Sequence, residues 1–282
     1  MDEAHAPLPA VDALPLIEEV DDALVALLRG LDREDWHRVA NRAWTVKHVA
    51  AHLLDGNLRR LSLDRDGWVG AATPRESHYQ ALVDFLNQLN ADWIRAMDRI
   101  SPRVVVDLLA VTNREVRSHF RTLDPNAAAR FPVAWAGQDA SVVWMDVARE
   151  YTEKWHHQQQ IRDAVQRPGL KEHRYLQPLL ATFARVLPRS YATSSARTGT
   201  TIVITVTDVE SSTWLLRREA DRWGLYDGSH AGSPTAEVRT SGDIAWRLFT
   251  KGLDAKTARA SSQCSGPGEL IDPFFGSVAI MG

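Results

Sequence analysis

A single cysteine, Cys264, stands among 282 residues, so no disulfide can form within the chain and packing alone must hold the fold. No apolar stretch approaches the roughly 20 residues that a membrane helix needs. The first residues, Met1-Asp2-Glu3-Ala4-His5, are acidic and lack the basic and apolar regions of a secretory signal. No basic run stands out either. Lys and Arg number 33 against 36 Asp and Glu, for a formal net charge of −3 and a pI near 6.4. That balance argues against nucleic acid or an anionic membrane as the main partner. The expectation is a soluble protein of the reducing cytoplasm, with a small molecule as substrate and an open oligomeric state that includes a dimer.

What is present is the composition of a globular protein, 44% hydrophobic and 24% charged. The length exceeds the roughly 100–200 residues of one domain, which points to two. Ten tryptophans are spread over both halves and read as core packing rather than as a base-stacking or sugar-binding tract.

Residues 11–31 carry Leu14, Ile17, Val20, Leu24 and Leu27 or Leu28 at helical spacing, with a break at Gly30 and residues 32–35. A second helix starts at Thr45, a good N-cap, with Trp44 placed as a hydrophobic staple. Residues 77–99 give a third, stopped by Pro102, and residues 103–123 a further helix interrupted by Thr112-Asn113-Arg114. Residues 125–140 read as loop, and 142–165 as one long helix ended by Arg167-Pro168-Gly169. A bundle of about four long helices accounts for this half.

Past residue 170 the pattern changes. A helical segment near 174–187 precedes four candidate strands, at 200–207, 213–218, 223–226 and 235–239, with Asp227-Gly228 as a turn signal. Ser241 caps a helix expected to run through Lys251 and end at Gly252; residues 270–276 are ambiguous and 277–281 suggest a last strand. The expected division is a helical bundle over 1–170 and a small α+β domain over 171–282.

Chemistry concentrates on two of the helices. Glu153 and His157 are four residues apart and project from one face, so they can grip one ion at about 2.0–2.2 Å. Alone this pair is weak, since a solvated surface pair looks the same. His52 adds the missing ligand type, inside the apolar turn Val49-Ala50-Ala51-His52-Leu53-Leu54. Buried there, it needs a metal or a hydrogen-bond partner, and a core histidine bonded to a carbonyl or carboxylate is the competing reading. His, Glu and His together leave an open coordination position, the pattern of a catalytic site. His156 points about 100° away from His157 and is expected on the rim or surface. His48 and Glu150 sit one turn from the candidate ligands, as outer partners or plain surface residues.

The stretch Trp44-Thr45-Val46-Lys47-His48-Val49-Ala50-Ala51-His52-Leu53 resembles the motif W-[ST]-V-K-D-V-x-A-H-L of the mycothiol-dependent maleylpyruvate isomerase family, within the DinB-like superfamily. Residues 149–164, with Glu153, His157, Ile161 and Ala164, resemble its second motif, E-x-x-x-H-x-x-D-[IL]-x-x-A. The likeness spans nearly the whole chain. It implies a DinB-like four-helix bundle and a C-terminal domain similar to sterol carrier protein type two. It also implies a divalent ion, zinc before nickel, iron or manganese, on His52, Glu153 and His157. Two positions depart from the family: Gln160 stands where it has an acidic residue, and His48 where it has Asp. Both are expected outside the ligand set, where they would tune the metal.

The reaction this implies is activation of a low-molecular-weight thiol, mycothiol or another, for isomerisation, conjugation or transfer on a small electrophile. Arg247, beside Trp246 on the C-terminal helix, is a candidate to hold a substrate carboxylate. Two alternatives stay open: hydrolysis by a metal-bound hydroxide, and a metal- or ligand-binding protein without turnover. Cys264 is given no role.

Overall fold

A computed structural model of the protein describes residues 6–42, 44–69 and 79–280. The chain forms two compact units. Of the described residues, one comprises those within 12–130 and 142–170; the other comprises 171–280 together with 6–11 and 131–141. Two short segments of the first 170 residues thus group with the C-terminal unit.

The helical unit contains α1 (Leu14–Arg29), α2 (Val46–Arg60), α3 (Tyr79–Met97), α4 (Pro102–Phe120) and α5 (Val143–Ala164). Residues 77 and 78 of the third expected helix lie outside the described residues. Helix α1 turns Ile17, Val20, Leu24, Leu27 and Leu28 inward and stops at Gly30, whose N–H bonds back to the carbonyl of Leu27. Helix α2 packs on α3, α4 and α5, and α1 packs on α4 and α5. Val46, Val49, Ala50 and Leu54 of α2 are fully buried, as are Val105 and Leu109 of α4. Each such Val or Leu contributes about 1.5–3 kcal/mol. Among the described residues no helix is long and apolar enough to cross a membrane.

Helix α4 runs through Thr112-Asn113-Arg114 without a break because Thr112 and Asn113 find partners inside the bundle, while Arg114 is exposed. Thr112 Oγ1 donates to the Leu108 carbonyl at 2.8 Å. Asn57 of α2 donates to Thr112 Oγ1 at 3.0 Å and to Asn113 Oδ1 at 2.7 Å. The centre of this network is Lys154 of α5, 3% exposed, whose ammonium donates to Asp21 at 2.7 Å, Asn113 at 2.9 Å and Asn57 at 3.1 Å. Burial pushes the Asp21 carboxyl up, and Lys154 and then Arg117 oppose that. Helix α5 is therefore a polar helix held inside the bundle by matched partners.

The second unit carries α6 (His173–Phe183), a 3₁₀ turn at Ala184–Val186 and the short α7 (Leu187–Ser190). Its sheet has five strands in the order β3-β2-β1-β4-β5: β1 (Thr201–Val206), β2 (Thr213–Arg218), β3 (Trp223–Asp227), β4 (Ala236–Thr240) and β5 (Gln263–Ser265). Strands β1 and β4 are parallel; the other pairs are antiparallel. Helices α8 (Gly242–Phe249), α9 (Ala255–Ala260) and α10 (Gly268–Phe275) complete it. Helix α8 starts on Ser241, as the sequence suggests, but ends two residues before the expected Lys251. Lys251 takes a left-handed φ of 59°, and the Gly252 N–H closes on the Arg247 carbonyl at 2.7 Å. Residues 270–275 belong to α10, with Gly276 as its C-cap, and 277–280 form no strand; Met281 lies outside the described residues. Ala279 instead donates to the Phe249 carbonyl.

Lys154→Met leaves the Asp21 carboxylate buried without its ammonium and is expected to cost about 3–5 kcal/mol of unfolding free energy. The double variant Asp21→Asn/Lys154→Met should lose less than the sum of the two single changes. Urea unfolding followed by helical circular dichroism checks both. A Lys154→Met loss below about 1 kcal/mol would contradict the role given to this pair.

Candidate metal centre

The segment Arg38–Thr45 leads into α2 and is folded back on it. The Val46 N–H donates to the Arg38 carbonyl at 2.9 Å, and the N–H groups of Ala40 and Asn41 both reach the Trp44 carbonyl. Thr45 caps the helix: its hydroxyl accepts from the His48 N–H at 3.4 Å, while His48 Nδ1 accepts from the Thr45 N–H at 3.5 Å. This fixes α2 at its N-terminus and sets His52 facing α5.

The structure brings His52, Glu153 and His157 together. His52 Nε2 lies 2.9 Å from Glu153 Oε1, and His157 Nε2 lies 3.0 Å from the same oxygen. One potential ligand atom from each falls within 4.8 Å of the others. The two imidazoles stand edge to face with centroids 4.8 Å apart. Donors at about 2.0–2.2 Å from a tetrahedral ion sit roughly 3.4 Å apart, so opening these contacts by a few tenths of an ångström admits one. Two nitrogens and a carboxylate oxygen are a donor set suited to zinc. No carbonyl takes His52: its Nδ1 is buried with no hydrogen-bond partner among the described residues, and its polar contact is Glu153. The Glu153 side chain is 44% exposed, which leaves one side of the cluster open.

The electrostatics follow from this sharing. Burial would raise the Glu153 carboxyl, but the His157 and His52 imidazoles overturn that and hold it well below its ordinary 4.5. Burial pushes His52 below 6.5. The same burial acts on His157, yet Glu153 and then Gln160 outweigh it and raise this ring above 6.5.

Around the three residues stand partners of two kinds. Trp44 lies over the site, its ring centroid 4.7 Å from His52 and 6.2 Å from His157. It is therefore an aromatic wall of the cluster as well as a residue at the head of α2. Gln160 Oε1 takes His157 Nδ1 at 2.9 Å and the Asn41 amide at 3.1 Å, and its Nε2 lies 3.0 Å from His156 Nε2. Asn41 was not singled out from the sequence; its place three residues before Trp44, whose N–H it accepts at 2.9 Å, is an Asx-turn signal that could have marked it.

Other expectations fall differently. His156 is not on the rim. It is 4% exposed, because α5 is packed on nearly every side and a 100° rotation meets protein rather than water. Burial drives its imidazole down to about 3, so it is neutral. His48 engages the Thr45 N–H and Asp98, at 3.3 Å, rather than the cluster. Glu150 binds Arg60 at 3.1 Å, in a buried group with Asp64 and Asp146. Arg247, in the C-terminal unit, pairs with Asp243 at 2.9 Å and lies over the Trp246 ring at 4.4 Å.

Residues 17–162, over half of the chain, match the family model described as the mycothiol maleylpyruvate isomerase N-terminal domain. Among solved structures the chain is similar to a mycothiol-dependent maleylpyruvate isomerase at 16% identity and a TM-score of 0.51, over 86% of this chain and 88% of that one. A mutant of a mycothiol-dependent maleylpyruvate isomerase matches at 15% identity, with the same coverage and TM-score. At such identities the likeness speaks to the fold. No match is found among curated proteins.

The shifts at Glu153 and His157 give the metal-free protein a window in pH. Glu153, held low, stabilises the fold above 4.5 and loses that contribution as pH falls through its depressed value. His157, held high, stabilises below 6.5 and loses its contribution as pH rises through its raised value. With chelator present, the melting temperature of the wild type should exceed that of Glu153→Gln most between 4.5 and 6.5, and less on either side. Glu153 also opposes the burial that holds His52 and His156 low, so its loss lowers both rings further. A gap independent of pH would mean that the carboxylate and imidazole are not coupled.

Proposed function

The chain belongs to the mycothiol maleylpyruvate isomerase N-terminal domain family, and from that premise we propose that it is a zinc-dependent enzyme that activates a low-molecular-weight thiol of the mycothiol type. The activated thiol would attack a small electrophilic substrate, leading to isomerisation, conjugation or transfer. The observation that carries the reading is the sharing of Glu153 Oε1 by two imidazole nitrogens at 2.9 and 3.0 Å on a partly exposed carboxylate.

His52, Glu153 and His157 are the residues that would hold the ion, whose chemistry is to favour a thiolate over a thiol near neutral pH. A single carboxylate among the ligands leaves a divalent centre with a net positive charge, which suits an anionic sulfur. His52, kept neutral by burial, offers a lone pair without first losing a proton. His157 must give up its Nε2 proton, because Glu153 favours the charged ring. Trp44 lies tilted beside both imidazoles, and the partly exposed Glu153 side is where a ligand would enter. With one exposed cysteine and no disulfide, the chain suits the reducing cytoplasm in which such thiols persist.

Zinc competition with a chromogenic chelator is expected to show one site per chain. Its apparent affinity should fall as pH drops, since the proton on His157 competes. His157→Ala and His52→Ala should each weaken zinc by more than the about 10–100-fold typical of losing an outer partner. Turnover of an electrophilic substrate by zinc-loaded protein should need added thiol. Turnover without thiol would favour hydrolysis, and tight zinc binding without turnover of either kind would favour a binding protein.

A further inference from the structure

We propose that the outward face of α4 joins two copies of this chain into a dimer, with the two α4 helices antiparallel and Asp107 of each paired with Arg114 of the other. The surface lies on a different helix from the candidate metal ligands, so this dimer does not depend on an ion being bound.

Helix α4 is apolar on two sides. Val105, Val106, Leu109, Val116 and Phe120 point into the bundle and are buried. Val104, Leu108 and Val111 do not: they are 45%, 43% and 47% exposed. Spaced by four and then three residues, they form one stripe along the helix, the seam spacing of a two-stranded coiled coil. A helix on the surface of a bundle ordinarily carries polar residues there. Exposed hydrophobics scattered singly need no explanation, but three in line over two turns mark a contact surface. Asp107 and Arg114 flank the stripe on one side, and both are exposed. They are loosely held within the chain: Asp107 lies 4.0 Å from Arg103, and the Arg114 guanidinium has no partner among the described residues.

These charges select a second copy as the occupant. In an antiparallel helix pair, seam residues meet seam residues, and the residues one before them along the edge meet one another. Place Leu108 of each copy against Val111 of the other. The twofold axis then passes between 108 and 111, with the two Leu–Val contacts at its centre. Val104 lies against the aliphatic part of Glu115 of the second copy, whose carboxylate is already held by Arg65 at 3.1 Å. Asp107 falls opposite Arg114 of the second copy, and Arg114 opposite its Asp107, so unlike charges close the edge twice. Sliding one helix by two turns, so that Leu108 meets Val104, sets Asp107 against its own copy instead. A parallel pair keeps each residue level with its own copy and never joins 107 to 114. One arrangement is thus favoured and its alternatives opposed. A single helix face on each copy is a small interface, roughly 1,200 Å² or less in total, the size at which association is weak.

Sedimentation velocity of the full chain at low salt, over about 5–500 µM, spans the range of such weak association. The wild type should sediment as a monomer at the lowest concentrations and approach a dimer at the highest. Leu108→Glu should stay monomeric throughout. Asp107→Arg and Arg114→Asp each set like charges together at both edge contacts, and each should weaken association by about tenfold or more. Mixed in equal amounts, the two charge variants should recover a dimer of near wild-type affinity, because every 107–114 contact between unlike chains then joins opposite charges. A loss caused by misfolding would not be restored by mixing. Helical circular dichroism should be the same in all three variants as in the wild type, since the substituted side chains are exposed. Wild-type protein that stays monomeric at every concentration, a dimer that survives Leu108→Glu, or a mixture that associates no more tightly than its components would each overturn the proposal.

Discussion

Helix α5 is the constraint on which the helical unit turns: it is buried along most of its length and yet it is not apolar. Glu150, Lys154, His156, His157, Gln158 and Gln159 are all less than 10% exposed. A buried polar group without a partner costs about 1–3 kcal/mol, so these side chains draw on neighbouring elements or, for His156 and His157, on Gln160 and Glu153 of the same helix. Lys154 takes Asp21, Asn57 and Asn113; Gln158 donates to the Val20 carbonyl; Gln159 donates to the Gly169 carbonyl. These fixed bonds allow few rotations or slides of α5, and they hold Glu153 and His157 in register with His52 of α2.

Stability and chemistry are divided between faces of that one helix. On the faces turned to α1 and α4, charges are paired inside the protein and nothing remains to react. On the face turned to α2, a single carboxylate serves two imidazoles and is itself partly open to solvent. Both imidazoles converge on one of the two carboxylate oxygens; a cation between them would give each nitrogen a partner of its own.

The helices were legible because their apolar residues recur with the helical period: α1, α2 and α5 fall within a few residues of where Leu, Val and Ala spacing puts them. The strands β1 to β4 were legible from β-branched runs and turn residues. Helix α9 and strand β5 were not, being six and three residues long with no periodicity to read, although Asp254 caps α9 by accepting the Thr257 N–H. In the site, helical spacing brought Glu153 and His157 onto one face, and an isolated histidine in an apolar turn marked His52. Periodicity could not tell that His156 is buried, because that depends on what packs against the far side of α5. Nor could it reveal Asn41, whose role exists only once a loop and a helix 119 positions apart in sequence are brought together.

The departure at Gln160 ties these observations together. A carboxylate at that position could accept the His157 N–H from either oxygen, so its polarity would need no support. An amide has a donor end and an acceptor end of nearly the same shape, and only its surroundings decide which end faces the ring. An amide there therefore puts the burden of orientation on whatever holds it, here Asn41 and behind it a backbone N–H. Were the proposed divalent ion held there, the single carboxylate would leave it more of its charge for an anionic ligand. The amide at Gln160 thus leaves its orientation beside His157 to a loop residue, Asn41.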